Sequence, residues 1–485
     1  MLRICPPDTR RFRFSAASSR FLGGWWTALA GQGEVAADSI DRLITERRVR
    51  GYSTICLVVW LVSLSASVLL GHPPRNVLDK VILPDYLAHW TGGRLLLEGA
   101  AEHLYDVPTQ LALQIQTVGE HETFAWYVNP PFIAVLYALF AALPYPSSAL
   151  AWTVFAVLLL FASARLLRSL VPGLGGRRWR TALLVAAAAP PVYELIGSGQ
   201  DSALSVFLWL VGIRLALARR DDLAGLTFAL GLYKPQLFLL PPLLFLCWWR
   251  RRALLGWALT AGLLGTASLL LVGPGGIRTW LALPVSPAYQ ESIQAGQAWK
   301  MQTISALLTA GAPPQFASLA EALGLVLGIV LVAAFVRQAL RCRWEGGSDE
   351  APLWGLACLT TLLASPHLAL YDLVLLIFPA LLLVERRNER GVRLALVAII
   401  PLTWTLPARH LLVGSLPWPL PALGASWTAM PVLVLWIALS DLLSQPPRRV
   451  AASCSLGQGT RSASSEERRS TQLLKLPRRL SGLHH

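Results

Sequence analysis

Apolar positions in this chain come in long blocks rather than in alternation with polar ones. Many of the blocks approach the length that crosses a bilayer as a helix, roughly 20 residues. Short segments rich in arginine and glycine separate them. The pattern predicts an all-α, polytopic membrane protein. Candidate helices lie at 52–71, 130–143, 149–167, 181–196, 202–218, 223–234, 235–249, 253–272, 317–337, 352–366, 370–384, 392–409 and 425–443.

Proline interrupts several of these blocks, as at Pro190-Pro191, Pro235 and Pro366. A broken helix survives in a membrane where protein or a wet cavity satisfies the freed backbone groups. We therefore expect a bundle of about twelve transmembrane helices around a polar cavity. The segment 130–167 looks like two helices, although the arginine pattern needs an odd number of crossings there. One of the two is expected to be re-entrant.

Arginine placement predicts the orientation, because cytoplasmic loops are enriched in Lys and Arg. Both termini are then cytoplasmic, and the long loops 72–128 and 273–302 face outward. We expect a multi-pass protein of the plasma (inner) membrane with an outward-facing site. The segments of cytoplasmic character are 1–50, 177–180, 219–220, 250–252, 337–343, 385–390 and the stretch after 445.

Composition divides the chain into three regions. Residues 1–50 form a basic tail without the apolar core of a secretory signal. Residues 51–444 hold all the apolar runs and are the predicted membrane domain. Residues 445–485 are rich in Ser and Arg and poor in apolar residues, which predicts a disordered cytoplasmic tail.

The overall composition excludes several classes of function. The chain is 54% hydrophobic and 14% charged, whereas soluble domains carry about 25% charged residues. The net charge of +15 resides in loops and tails, so we expect no nucleic-acid partner. The cysteines show no metal-type spacing, and neither disulfides nor a metal site are expected. Nucleotide-binding and hydrolase signatures are missing from the sequence, and we expect no cofactor.

The most informative polar segment follows the first apolar run. From Pro84 it reads Pro-Asp-Tyr-Leu-Ala-His-Trp-Thr-Gly-Gly-Arg, which places Asp85 among aromatics and before a predicted paired-glycine turn. Tyr86 and Trp90 suit the membrane interface. A carboxylate held there could accept a proton from a hydroxyl while a lipid-borne substrate lies alongside. A solvated carboxylate capping an interfacial helix is the alternative.

Lys234 and His367 lie at breaks between apolar runs. An ionisable residue at membrane depth is a functional candidate by default, and a cation beside a broken helix suits the phosphate of a lipid carrier. The alternative for Lys234 is a side chain that snorkels to the interface. His367, close to Tyr371-Asp372, could hold a phosphate or move a proton, or it could satisfy a kinked backbone.

Two further polar segments flank apolar runs. Asn129 precedes Pro130-Pro131, where it could cap the next helix or contact a ligand. Gln200 lies in the segment 197–201, and polar groups at helix ends can bind a sugar or a phosphate. An ordinary glycine-rich turn with Asp201 as the N-cap is the alternative.

Taken in order, these motifs resemble glycosyltransferase family 87, within the GT-C superfamily of polyprenyl-phosphate-sugar-dependent enzymes. The resemblance covers residues 50–440 and departs where Asp201 occupies the place of an expected asparagine. The matching pieces are Asp85-Tyr86 with Gly99, Leu104-Tyr105-Asp106, Tyr127 with Pro130-Pro131, Gly199-Gln200, Lys234-Pro235 and Ser365-Pro366-His367.

The resemblance implies a GT-C-like membrane enzyme that moves a hexose, typically mannose, from a polyprenyl-phosphate carrier to a glycolipid or glycan acceptor outside the cytoplasm. Asp85 would be the general base of an inverting displacement. Lys234 and His367 would stabilise the departing phosphate. The residues expected to bind substrate are Tyr86, Asp106, Tyr127, Asn129, Gln200, Lys234, His367 and Tyr371.

Two other functions compete with this hypothesis. A transporter or lipid flippase often has inverted repeats and paired charges near the bilayer midplane, whereas the polar motifs here gather at predicted outer helix ends. A non-catalytic membrane scaffold would leave Lys234 and the polar breaks without a reason. The expected partners are therefore the sugar donor, the acceptor and membrane lipid.

Overall fold

The computed structural model describes residues 45–120, 124–344, 350–386 and 389–444, with side chains for all of these except 293–295. The predicted tail 445–485 and most of the predicted tail 1–50 lie outside the described residues.

The described residues fold as an all-α structure without strands. Several helices begin with proline at their first turn, where the missing N–H has no partner to lose. The helices are α1 (Glu46–Leu69), α2 (Pro84–Leu97), α3 (Val107–Val118), α4 (Ala134–Ala141), α5 (Tyr145–Leu170), α6 (Gly176–Ala187), α7 (Pro190–Ser198), α8 (Ser202–Leu217), α9 (Asp221–Leu230), α10 (Pro235–Phe238), α11 (Leu240–Cys247), α12 (Arg251–Ala282), α13 (Ile304–Gly311), α14 (Ala317–Trp344), α15 (Ala351–Ala364), α16 (Ile377–Arg386), α17 (Arg390–Trp404), α18 (Leu406–Val413) and α19 (Ala429–Ser444).

Single turns and short distorted helices complete the chain between these elements. One further α-helical turn spans Pro287–Tyr289, and a π-helical segment spans Gln290–Ala295. The 3-10 segments are Ala101–His103, Pro131–Ile133, Gly231–Tyr233, Leu283–Val285, Ala298–Lys300, Pro314–Phe316, Leu370–Leu376 and Leu420–Gly424.

Four segments are long and apolar enough to cross a membrane, and the number rises to six if each of two bent pairs counts as one span. The bent pairs are α6 with α7, at 50°, and α17 with α18, at 53°. Shorter apolar helices fill the rest of the bundle. The chain is therefore an all-α membrane protein, and the count of about twelve spans stays a prediction.

The arginine pattern requires an odd number of membrane crossings in 130–167, and the helix lengths in this segment bear on that requirement. The apolar segment Pro131–Ala141 rises only about 16 Å, roughly half of a 30 Å hydrocarbon core. The next helix, α5, has 26 residues, which is enough for a full crossing. These lengths support the expectation that one of the two helices does not cross.

Residues predicted to be cytoplasmic contact one another at one end of the bundle. Arg177 pairs with Glu46 at 2.9 Å, which joins the starts of α6 and α1. Arg250 is buried between Glu350, at 2.5 Å, and Asp221, at 3.2 Å. The grouping of the loops into two sides of the membrane stays a prediction, and so does the side that faces the cytoplasm.

The paired glycines Gly92 and Gly93 lie inside α2, so the prediction of a turn there is wrong. A Cβ on Gly93 would stand 2.5 Å from the carbonyl carbon of Tyr137, and one on Gly92 would stand 2.3 Å from the ring of Tyr127. Small residues allow helices in membranes to pack closely. The pair therefore lets α4 press against α2.

Candidate active site

The site begins at the first turn of α2, where Asp85 follows Pro84. The positive end of a helix favours a carboxylate at this position. Leu83 precedes the helix in a left-handed conformation, with φ of 53°. The hydroxyl of Tyr145 donates to the carbonyl oxygens of Ile82, at 2.6 Å, and Leu83, at 3.0 Å. These bonds hold the chain in the turn that presents Asp85.

Gln200 reaches Asp85 from the corner between α7 and α8. Its Nε2 donates to Oδ2 of Asp85 at 2.8 Å. Gly199, with φ of 78°, makes the approach possible. A Cβ on Gly199 would stand 2.6 Å from Cβ of Tyr86 and 2.9 Å from Cβ of Leu83. The corner can lie against the start of α2 because this residue has no side chain.

Beneath this contact lies a buried group of charges, Lys234 with Asp201 and Asp372, here called the ion cluster. Nζ of Lys234 is 2.7 Å from Oδ1 of Asp201 and 3.0 Å from Oδ1 of Asp372. It also donates to Oγ of Ser202 at 2.9 Å. Lys234 is only 7% exposed. The snorkelling alternative is therefore wrong, since the ammonium group is paired inside the protein.

Polar side chains from three segments surround Asp201. The hydroxyl of Tyr137 donates to its Oδ2 at 2.7 Å, and Nδ2 of Asn129 lies 3.5 Å from the same atom. Asn129 also donates to the Tyr137 hydroxyl at 2.9 Å. The buried ring of His89 stacks on Tyr137 at 4.4 Å and places Nε2 3.8 Å from Oδ2 of Asp201.

The capping alternatives for Asp201 and Asn129 are not what the structure contains. Asp201 occupies the N-cap position of α8 without a side-chain capping hydrogen bond. The short helical segment after Asn129 likewise has no side-chain cap. Both side chains point instead into the network around the ion cluster.

Tyr371 lies near both the half-buried Asp85 and the ion cluster. Nζ of Lys234 lies 5.0 Å from the centroid of the Tyr371 ring. The Tyr371 hydroxyl is within electrostatic reach of Asp85 and of both carboxylates in the cluster. His367 is within electrostatic reach of Asp372 and Lys234. Predicted residues from four distant parts of the sequence thus meet in one place.

The comparison with protein families bears on this arrangement. The family model of glycosyltransferase family 87 matches residues 127–366. This stretch includes Asn129, Gln200, Asp201 and Lys234. The chain belongs to glycosyltransferase family 87. No curated protein and no solved structure gives a significant match.

Membership in family 87 makes this chain a membrane glycosyltransferase, with a sugar donor and an acceptor as its substrates. The matched stretch begins after Asp85 and ends one residue before His367. The family match therefore assigns no role to Asp85 or His367.

Two predicted substrate-binding tyrosines of the family 87 chain are packing residues. Tyr86 is fully buried, shares a hydrogen bond of 2.6 Å with Ser148, and stacks on Trp152 at 5.2 Å. Tyr127 is 1% exposed, and its hydroxyl donates to the carbonyl oxygen of Pro130. Burial leaves neither side chain a surface to offer a substrate.

Asp106, also predicted to bind substrate, is an exposed helix cap. Its carboxylate accepts hydrogen bonds from the backbone N–H, at 3.0 Å, and the hydroxyl of Thr109. These bonds lower the pKa of Asp106. The residue starts α3, and the neighbouring Tyr105 ties this loop to the site by donating to the carbonyl oxygen of Asn129 at 2.7 Å.

Glu194, on α7, was not among the site residues predicted from the sequence. It is partly buried, and its carboxylate is within electrostatic reach of Asp85 and Lys300. A signal was present, because Glu194 is an ionisable residue inside the apolar run 181–196. The same criterion singled out Lys234. His89 gave no comparable signal because it lies in the predicted outer loop 72–128, and Tyr137 gave none because aromatic rings are ordinary in apolar runs.

Proposed function

We propose that this family 87 enzyme transfers a hexose, most often mannose, from a polyprenyl-phosphate carrier to a glycolipid or glycan at the outer face of the plasma membrane. Asp85 is the general base in this proposal. The observation that carries it is the hydrogen bond from Gln200 to Asp85, beside a buried ion cluster.

The partner of Asp85 suits a base. Gln200 is a neutral amide, so it orients the carboxylate without forming the ion pair that a lysine or arginine would form. Among the described residues, Oδ1 of Asp85 accepts no hydrogen bond. That oxygen is the one we expect to face the acceptor, since a general base must come within about 2.6–3.2 Å of the proton it takes.

The proposed step is a single displacement. Asp85 takes the proton of the acceptor hydroxyl as the hydroxyl oxygen attacks the anomeric carbon. The bond from that carbon to the phosphate oxygen breaks, and polyprenyl phosphate leaves with the electron pair. Attack and departure occur on opposite faces of the sugar, which inverts the anomeric configuration. The leaving group is a stabilised anion and needs no strong general acid.

The contacts of Lys234 support a positioning role rather than direct binding of the donor phosphate. A phosphate would compete with two carboxylates that already lie 2.7 and 3.0 Å from Nζ. The ion cluster joins the start of α8 to the 3-10 segment Leu370–Leu376. It thereby fixes Tyr371 and the corner that carries Gln200. Of the two predicted phosphate ligands, His367 is the one we retain.

Glu194 is the competing base within the same function. It lies on the helix that ends next to Gln200, and its charge reaches Asp85. Its neighbour Lys300 is also within electrostatic reach, so we assign Glu194 and Lys300 to the binding of acceptor hydroxyls.

The function is tested with purified enzyme in lipid nanodiscs. Radiolabelled polyprenyl-phosphate-mannose and a matched nucleotide-linked mannose are offered separately, with membrane glycolipids as acceptors. Label should enter the acceptor only from the lipid-linked donor. Label from the nucleotide-linked donor would contradict the proposal. In a second experiment, with the enzyme reconstituted in sealed vesicles, donor movement across the membrane without label transfer would favour a flippase.

A further inference from the structure

A cavity of about 210 Å³ lies among α1, α6 and α17, at a distance from the site around Asp85. Its walls are almost entirely apolar and include Tyr52 and Cys56 on α1, Ala188 and Ala189 after α6, and Trp404 on α17. An engineered apolar cavity of about 150 Å³ stays dry and binds a small hydrocarbon. A larger apolar cavity that opens between membrane helices is suited to a hydrocarbon chain.

The cavity follows from two bends in the bundle. The pair α6 and α7 bends by 50° where Pro190-Pro191 begins the second helix, and α17 and α18 bend by 53°. The residues at the first bend, Ala188 and Ala189, are too small to fill the gap that opens against α1. The space is therefore built by backbone geometry and small side chains together.

One mouth of the cavity is strongly basic. Arg48 itself lines it. The starts of α1 and α6 meet through the pair Glu46–Arg177. The backbone N–H of Gly173, just before α6, donates to the carboxylate of Glu385, in the last turn of α16 and five residues before α17 begins. All three helices thus begin together. Their first five residues carry Arg47, Arg48, Arg50, Arg177, Arg178, Arg180, Arg390 and Arg393, against the nearby acids Glu46, Glu385 and Glu389.

We infer that this cavity binds an anionic phospholipid of the leaflet that contains the arginines, with an acyl chain in the cavity and the phosphate among the arginines. Basic pockets between membrane helices on the cytoplasmic side bind acidic lipid headgroups. A zwitterionic lipid would offer the same chain but carries no net negative charge. The carrier lipid does not account for the arginines, because in the proposed function its phosphate lies near Asp85, at the opposite end of α7.

The binding test uses full-length protein stripped of lipid in detergent. Phosphatidylglycerol and phosphatidylcholine with identical chains are titrated separately, and bound lipid is counted by native mass spectrometry. Phosphatidylglycerol should bind at least tenfold more tightly. Equal affinity for the two lipids, or preferential retention of a polyprenyl phosphate, would overturn the inference.

Two variants locate the site. Ala189→Phe fills the cavity and should abolish the retained lipid. The double variant Arg48→Gln with Arg178→Gln leaves the cavity intact and should lower phosphatidylglycerol affinity by tenfold or more, since each arginine near an anionic surface contributes separately. Arg251→Gln with Arg252→Gln, at the start of α12 and outside the cavity lining, is the control and should change little.

The arginine double variant still tests the site if Ala189→Phe fails to fold. The arginine variant changes exposed side chains and is decisive by itself. If it binds phosphatidylglycerol as tightly as the wild type does, the lipid does not use this mouth, and the inference is wrong.

Discussion

The side-chain amide of Gln200 donates a 2.8 Å hydrogen bond to Oδ2 of Asp85, across 115 positions of the sequence. The bond ties the segment after the first span to the corner between α7 and α8. The bond can form because Gly199 has no side chain and so allows the corner to lie against Tyr86 and Leu83. The orientation of the proposed base thus depends on a residue that has no functional group.

Gly199→Ala should therefore reduce sugar transfer strongly and also lower stability. The new Cβ meets Tyr86 and Leu83 below 3 Å, and the residue keeps a positive φ. The cost includes about 1–2 kcal/mol for a left-handed alanine. Thermal unfolding in detergent and transfer rates measure the two effects.

Gly99→Ala is the matched control. Gly99 has a similar φ of 73°, but nothing lies within 4 Å of its Cβ position. It should show the backbone cost alone and retain transfer activity. Equal loss of activity in both variants would contradict the role given to the Gly199 contact.

Lys234→Met should destabilise the fold. It leaves Asp201 and Asp372 buried without their cation, and breaking a buried pair costs about 3–5 kcal/mol. The double variant with Asp372→Asn should recover part of this loss, because one of the stranded charges is removed. Unfolding in detergent measures all three proteins.

The exposed Lys80 provides the comparison for Lys234. Lys80→Met should change stability by no more than about 0.5 kcal/mol. A Lys234→Met protein as stable as the wild type but unable to bind donor would return Lys234 to the role of phosphate ligand.

A cysteine at position 102 tests the orientation of the first long loop. Glu102 is exposed and lies between α2 and α3. In a cysteine-free background, Glu102→Cys should react with a membrane-impermeant maleimide added to intact cells. Labelling that requires breaching the membrane would place the loop on the cytoplasmic side and contradict the orientation.

Much of the helical framework could be predicted from the sequence. Each predicted apolar run contains a helical segment, because burying backbone in lipid demands internal hydrogen bonds. Lys234 was identifiable for the same reason, as a charge that apolar flanks leave no easy way to solvate.

Contacts between distant segments could not be read from the sequence. The partners of Lys234 lie 33 and 138 positions away, and no local rule pairs them. Tyr86 is buried whereas its neighbour Asp85 is half-buried in the site. The polar and apolar residues of α2 do not separate onto two faces, so its pattern does not show which face meets α4. The predicted turn at Gly92 and Gly93 was wrong for a similar reason, because turns and tight helix packing both favour glycine.

Glu194→Gln separates the two carboxylates that reach the site. If Glu194 binds acceptor hydroxyls, the Glu194→Gln variant should have a higher acceptor KM, while its kcat stays within a few-fold of the wild type. Steady-state kinetics with varied acceptor decide this. A fall in kcat of about 10² or more with unchanged KM would make Glu194 the base instead.

Asp85→Asn tests whether Asp85 is the general base. Asparagine keeps the shape and can still pair with Gln200, but it cannot take a proton as a carboxylate does. Asp106→Asn is the control, because asparagine caps a helix about as well as aspartate and Asp106 caps α3.

The measurement is single-turnover transfer from radiolabelled polyprenyl-phosphate-mannose, with donor binding followed separately. We expect Asp85→Asn to lower the transfer rate by about 10²–10⁴-fold with donor binding intact, while Asp106→Asn stays near the wild-type rate. Near-normal transfer by Asp85→Asn would contradict the proposed mechanism.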